Sequence, residues 1–132
     1  MSSLSIAASG LAATGLRLRV SAGNVANVSD TRAPPDPNAS STAGFPAVGR
    51  VDQVSVAGGG TAATVAPVSP GYVTLFEPGA PAADKNGLVA APNVDLANEA
   101  VQQITAGDTA AANAKAIQAG SSAIRSLLDI KV

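Results

Sequence analysis

The side chains that could do chemistry are few and widely spaced along the chain. Asp95 and Glu99 lie one helical turn apart, so their carboxylates could ligate a metal, although a helix start explains both residues as well. The run Asp84-Lys85-Asn86-Gly87 has too few carboxylates for calcium and is typical of a turn. The run Gly58–Gly60 lacks the lysine of a phosphate-binding loop and also indicates a turn. We therefore expect no catalytic, metal or cofactor site at any of these places.

Composition argues against an enzyme. The 132 residues include no cysteine and no histidine, which excludes thiolate ligands, disulfides and the usual general base. Eight basic and nine acidic residues leave a formal charge of −1, so there is no basic surface for nucleic acid. Aromatic residues make up only 2 % of an alanine-rich chain, which has little to bury by itself. We expect neighbouring copies or partners to supply the missing burial.

Membrane insertion is not expected. Arg17 and Arg19 interrupt the best apolar run before it reaches the length of a transmembrane helix, and they are typical of a solvated or interface edge. The N-terminus lacks the basic region of a secretory signal. If the protein leaves the cytosol, we expect a route that needs no cleaved signal peptide.

Both ends of the chain have helical patterns. Residues 4–28 repeat every seven positions, with large residues separated by very small ones, which is typical of closely packed helices. The large residues of this heptad are Leu4, Leu11, Leu18 and Val25. Helical character returns from about Asp95, a plausible N-cap, to Ile130, with two apolar stripes rotated relative to each other. The stripes are Val101, Ile104 and Ala111, and Ala114, Ile117, Ile124 and Leu128. Glycines weaken both helices in isolation.

The middle of the chain differs in composition from the two ends, and its nine prolines exclude a long helix there. Short β-like runs appear at 51–56, 64–68 and 72–76, separated by glycine turns, and 30–44 is too polar and proline-rich to be more than loop. The predicted fold class is α+β. Long terminal helices, in segments 1–30 and 93–132, pair as an antiparallel coiled-coil-like unit around a small irregular β-rich middle, 31–92.

Two asparagines, Asn24 and Asn27, close the first helical segment in the stretch GNVANVSD. Asparagine is a poor residue for a helix interior because its amide competes for backbone hydrogen bonds. We expect Asn27 to be the left-handed residue that ends the helix. Asn24 has two open interpretations: it belongs to the same helix end, or its amide bonds to a neighbouring helix and fixes the register.

The N-terminal residues resemble the motif of bacterial flagellar rod and hook proteins. In that family a Ser-Gly near the start leads to an Asn-Ile/Leu-Ala-Asn at the end of the first helix, here Ser9-Gly10 and Asn24-Val25-Ala26-Asn27. Asp30-Thr31-Arg32 is similar to the proximal-rod subset.

A second segment, FEPGAPAADKNGLVAAPNVDLANEAV at 76–101, resembles proximal rod proteins of the C type. In those proteins an aromatic-acidic-Pro turn is followed by a glycine, a short strand and the sequence Pro-Asn-Val-Asp. A helix then begins, with a glutamate four residues after that aspartate. The chain departs from the family's Arg-x-Tyr-x-Ala-Asn at Asp108 and Ala110, and Leu88 stands where an aromatic often follows the glycine.

The resemblance implies a non-enzymatic structural subunit of the proximal rod of the flagellar basal body, which transmits torque. Its terminal helices would polymerise into the inner layer of a tube, with the β-rich middle outside. Partners would be other copies, other rod proteins and the MS ring or rod adapter at the base. It would lie in the periplasm after type III export without a cleaved signal. Expected assembly contacts are Leu4, Leu11, Leu18, Asn24, Val25, Asn27, Val101, Ile104, Asn113, Ile117, Ile124 and Leu128, with Asp95 as helix cap.

Two alternatives remain open at this point. One is a secreted structural or interaction protein of another type III apparatus, and the other is a diverged, non-essential rod paralogue. The block at 76–99 favours a rod protein over the first of these, because other type III systems have no reason to repeat it.

Overall fold

The computed structural model describes residues 2–35 and 48–130. Most of the loop expected over 30–44 therefore lies outside the described residues. The element order is α1 (Ser3–Ala26), β1 (Gly49–Ser55), β2 (Thr61–Pro67), β3 (Tyr72–Phe76), β4 (Leu88–Pro92) and α2 (Leu96–Leu128). Two long helices thus flank two small antiparallel sheets, which is the α+β class that the sequence predicts.

The ends of α1 are set by short polar side chains. Ser2 is the N-cap, and its Oγ accepts a hydrogen bond from the Ser5 amide at 3.3 Å. At the other end, the Asn27 side-chain amide donates to the Gly23 carbonyl at 2.8 Å. Asn27 ends the helix, but the expectation of a left-handed conformation is wrong, since its φ is −100°. The bond to Gly23 caps a terminal carbonyl without any left-handed residue.

Helix α2 begins where Asp95 caps it. The Asp95 carboxylate accepts from the amides of Ala97 at 2.9 Å and Asn98 at 3.2 Å. The helix runs for 33 residues to Leu128, close to the span expected from about Asp95 to Ile130. At about 1.5 Å per residue its length is about 50 Å.

The strands form two separate hairpins. β1 pairs with β2 from Gly49↔Pro67 to Ser55↔Thr61, and Gly58–Gly60, all with positive φ, make the turn between them. The pairing begins earlier on both strands than the β-like runs at 51–56 and 64–68 indicate. The added residues are Gly49 and Arg50 on β1 and 61–63, mostly alanine, on β2, which carry little strand signal. β3 has the expected bounds and pairs with β4.

β4 has no strand pattern of its own, since Ala90, Ala91 and Pro92 are poor strand formers. Pairing defines it: β3 lies on one side, and on the other the backbones of Arg32 and Ala90 exchange hydrogen bonds of 2.8 and 2.9 Å. Its buried residues are part of a small described core that is mostly alanine. That core is Ala7, Ala13, Val48, Val89, Ala90, Ala91 and Ala106.

The two helices pack antiparallel through small and polar residues. Leu4 lies over Gly120, where an added Cβ would be 2.8 Å from Leu4 Cδ2, and Asn113 lies in the same way over Gly10. The seam, meaning the contacting faces of α1 and α2, has heptad spacing on both helices. It comprises Ala7, Thr14 and Ser21 with Gly10 and Asn24 on α1, and Glu99, Ala106, Asn113 and Gly120 on α2. Such residues let the two backbones approach closely, but they bury little apolar area.

Candidate functional site

Three elements meet at Asn24. Its Nδ2 donates to Glu99 Oε1 on α2 at 2.7 Å and to the Gly49 carbonyl of β1 at 2.8 Å. Its Oδ1 accepts from the Gly49 amide at 3.1 Å. The side chain is buried, at 6 % exposure, and all of its amide hydrogens and its oxygen are engaged. Of the two interpretations left open by the sequence, the structure therefore shows the bond to a neighbouring helix, with a bond to the β1–β2 hairpin in addition.

Ser21 and Gln103 extend this cluster by one helical turn. Ser21 Oγ donates to the Glu99 carbonyl oxygen at 3.4 Å and accepts from Gln103 Nε2 at 3.1 Å. Glu99 is buried, and within the described residues its Oε2 has no hydrogen-bond partner. We call Ser21, Asn24, Gly49, Glu99 and Gln103 the polar junction. A buried carboxylate that accepts from Asn24 fixes the angular position of α2 against α1.

Ser9 holds the other end of the β1–β2 hairpin on α1. Its Oγ accepts from the Thr61 amide at 3.1 Å and donates to the Ile6 carbonyl at 2.7 Å. A Cβ at Gly60, whose φ is +95°, would lie 2.7 Å from that Oγ, so only glycine lets the turn approach this closely. Ser9 and Asn24 are about 22 Å apart along the helix, and strand β1 is about 20 Å long. The hairpin thus lies along α1 and is bonded at both ends.

Large apolar side chains are exposed near both ends of α2. Val101, Ile104 and Leu128 are 61, 68 and 78 % exposed. The N-terminal group is Leu96, Val101 and Ile104, and the C-terminal group is Ile124, Leu127 and Leu128. The two groups lie about 30 Å apart along the helix, and we call them together the α2 apolar surface. Grouped exposed apolar residues of this kind are typical of contact surfaces. Across the described part of the chain, no helix combines the length and apolarity required to cross a membrane.

The structure separates the expected contact residues into three groups. Asn24 alone is buried. Half-buried at or beside the seam are Leu4, Leu18, Asn113 and Ile117. Exposed are Leu11, Val25, Asn27, Val101, Ile104, Ile124 and Leu128. Leu4 lies against Gly120 of α2, and Asn113 lies against Gly10 of α1.

Of the polar junction, the sequence predicts only Asn24. Glu99 does lie in the first turn of α2, as expected, but its side chain is in addition buried against α1. The available signal is the heptad at Ala7, Thr14 and Ser21, matched by Glu99 and Ala106 on α2. The family resemblance singles out Ser9-Gly10, but the bond of Ser9 to the hairpin was not predicted, because it depends on where the turn packs against α1.

The loop at Asp84 is a turn, as its sequence indicates. The Asp84 carboxylate accepts from the amides of Asn86 at 2.8 Å and Leu88 at 2.9 Å. The Leu88 hydrogen bond above all lowers the pKa of this carboxyl below its ordinary value of 3.8, against the opposing effect of partial burial. Within 2–35 and 48–130 no group of three or more acidic side chains is placed to hold a metal ion.

Comparison with known proteins gives a relationship over most of the chain. No family model matches it. Two curated relatives are the flagellar basal-body rod proteins FlgC of Salmonella typhimurium and Salmonella typhi. Each is 36 % identical over 109 residues, which cover 82 % of this chain and 80 % of the relative.

Proposed function

The chain belongs to the flagellar basal-body rod proteins of the FlgC type, and on that premise we propose that it is a structural subunit of the proximal rod. It polymerises through its terminal helices and transmits torque along the rod. Its role is structural rather than enzymatic. It acts in the basal body, within the periplasm, after export without a cleaved signal peptide.

The α2 apolar surface is the observation that carries the proposal. The side chains buried inside the chain are mostly alanine, whereas leucine, isoleucine and valine lie exposed on α2. Complete burial of one such large side chain contributes about 1.5 to 3 kcal/mol. The largest available gain in burial therefore lies between copies rather than within one.

The partners follow from this arrangement. Other copies and neighbouring rod proteins cover the α2 apolar surface, and the MS ring or a rod adapter contacts the subunits at the base. The exposed contact residues on α1, Leu11 and Val25, and those on α2, Val101, Ile104, Ile124 and Leu128, lie between subunits. A contact between unlike surfaces, repeated along an axis, generates a helical tube.

Deletion of the gene, with plasmid complementation, tests the proposal. The readouts are swimming and electron microscopy of isolated basal bodies. We expect loss of the rod and filament with the membrane ring retained, and recovery of both on complementation. Normal basal bodies in the deletion strain would contradict the proposal and favour a non-essential rod paralogue or a subunit of another type III apparatus.

A further inference from the structure

The hairpin and α2 occupy different faces of α1. Hairpin contacts on α1 come from Ile6, Ser9 and Val20, and the seam with α2 lies elsewhere around the helix. Among the described residues, α2 does not pack against β1 or β2. Two contacts that share no packing surface would normally form and break independently of each other.

Asn24 joins these two contacts in a single side chain. One amide group bonds Glu99 on α2 and both backbone groups of Gly49 on β1, at 2.7 to 3.1 Å. The Glu99 carboxylate fixes one hydrogen of Nδ2, and this aims the other hydrogen and Oδ1 at Gly49. The bond to Glu99 Oε1, at 2.7 Å, is the shortest of the three. Without α2, the amide loses this partner and is free to rotate away from the hairpin.

We propose that Asn24 couples docking of the β1–β2 hairpin on α1 to pairing of α1 with α2. The hairpin is bound firmly at its Gly49 end only when Glu99 is in place. Coupling of this kind is reciprocal, so a docked hairpin also favours helix pairing. This inference concerns the free chain and goes beyond the proposed function. If the proposed function also holds, a subunit presents its hairpin in the final position only after its helices have paired.

Amide hydrogen exchange of the full chain, read by mass spectrometry, tests the coupling. Glu99→Ala removes the acceptor on α2 without touching the hairpin. We expect exchange over residues 49–67 to rise about tenfold or more, the scale of leaving a buried polar group without its partner. Exchange over residues 72–92, the β3–β4 hairpin, should change no more than it does in the control variant.

Gln103→Ala is the matched control. It removes the neighbouring hydrogen bond between the helices, to Ser21, at a residue with no bond to the hairpin. In this variant we expect amide exchange of the β1–β2 hairpin to rise only as much as amide exchange of the two helices, which should be a small rise. Equal hairpin exchange in Glu99→Ala and Gln103→Ala would overturn the proposal. So would a wild-type hairpin that exchanges at the rate of an unfolded peptide.

Glu99→Met is the second variant and keeps the test decisive if Glu99→Ala fails to fold. Methionine fills a similar volume but offers Asn24 no carboxylate oxygen. Hairpin exchange should rise above that of Gln103→Ala. Hairpin exchange in Glu99→Met that equals the wild-type rate would overturn the coupling, because a simple space-filling role for Glu99 predicts that result.

Discussion

The two asparagines near the end of α1, one helical turn apart, have different structural roles. The Asn24 side chain is buried and bonds α2 and β1, whereas the Asn27 side chain is exposed and donates to the Gly23 carbonyl of its own helix. The energetic consequence differs accordingly. Loss of the Asn27 amide exposes a carbonyl that water can solvate, but loss of the Asn24 amide leaves buried groups without partners.

Asn24→Ala should lower the free energy of unfolding by about 3 kcal/mol, because the half-buried Gly49 backbone and the buried Glu99 carboxyl group lose their partner. Asn27→Ala should cost about 0.5 kcal/mol, as expected for an exposed cap. Urea unfolding followed by far-UV circular dichroism measures both. Equal losses for the two variants would contradict the geometry of the polar junction.

The lowered pKa of Asp84 predicts a pH dependence confined to its turn. A carboxyl with a folded-state pKa below its unfolded value contributes stability above the unfolded value, and that contribution is lost as the pH falls through the folded pKa. The Asn86 and Leu88 amide resonances should therefore shift below about pH 4. An NMR titration measures this. Asp84→Asn should abolish the transition, and an unchanged transition in that variant would assign it to another group.

At the scale of elements, the helices could be predicted from the periodicity of the sequence. The strand pairing and the helix packing could not, because they depend on how closely distant segments approach each other. Heptad and cap patterns give α1 and α2 nearly in full, because such signals are local. β4 carries no strand pattern, so only the family resemblance implied a short strand there, and its pairing with β3 forms it. The residues of the seam could not be identified from composition. Small residues such as Ala7 and Ala106 pack well only when a second backbone comes close. The pairing of Asn24 with Gly49 depends on a hairpin 25 residues away.

The glycines of the helices have unequal roles, and this is testable by substitution. At Gly107 an added Cβ would meet nothing within 4 Å, so Gly107→Ala should stabilise the chain by about 1 kcal/mol through helix propensity alone. At Gly10 the Cβ would be 2.8 Å from Asn113 Nδ2. Gly10→Ala should therefore lose most of that gain, because Asn113 must move. Thermal unfolding compares the two, and equal stabilisation would contradict close packing at Gly10.

At the scale of the whole molecule, stability and assembly should respond to different residues. Ile104 is 68 % exposed, so Ile104→Glu should change the free energy of unfolding by less than about 0.5 kcal/mol. The same variant should abolish swimming of a complemented deletion strain, because it places a charge on the α2 apolar surface. Gln53→Glu, an equal charge at an exposed site on β1, is the control and should swim. Normal swimming of Ile104→Glu would exclude the part of this surface around Ile104 from the rod contacts.

The central claim is that the α2 apolar surface is covered by neighbouring subunits in the rod. The chain contains no cysteine, so a single Ala100→Cys substitution, at an exposed small residue one turn before Ile104, provides a unique label site. Maleimide labelling should be rapid in the free subunit and blocked in basal bodies isolated from a motile complemented strain. The wild-type chain controls for background. Equal labelling in free subunit and basal body would show that this surface faces solvent in the rod and would contradict the account.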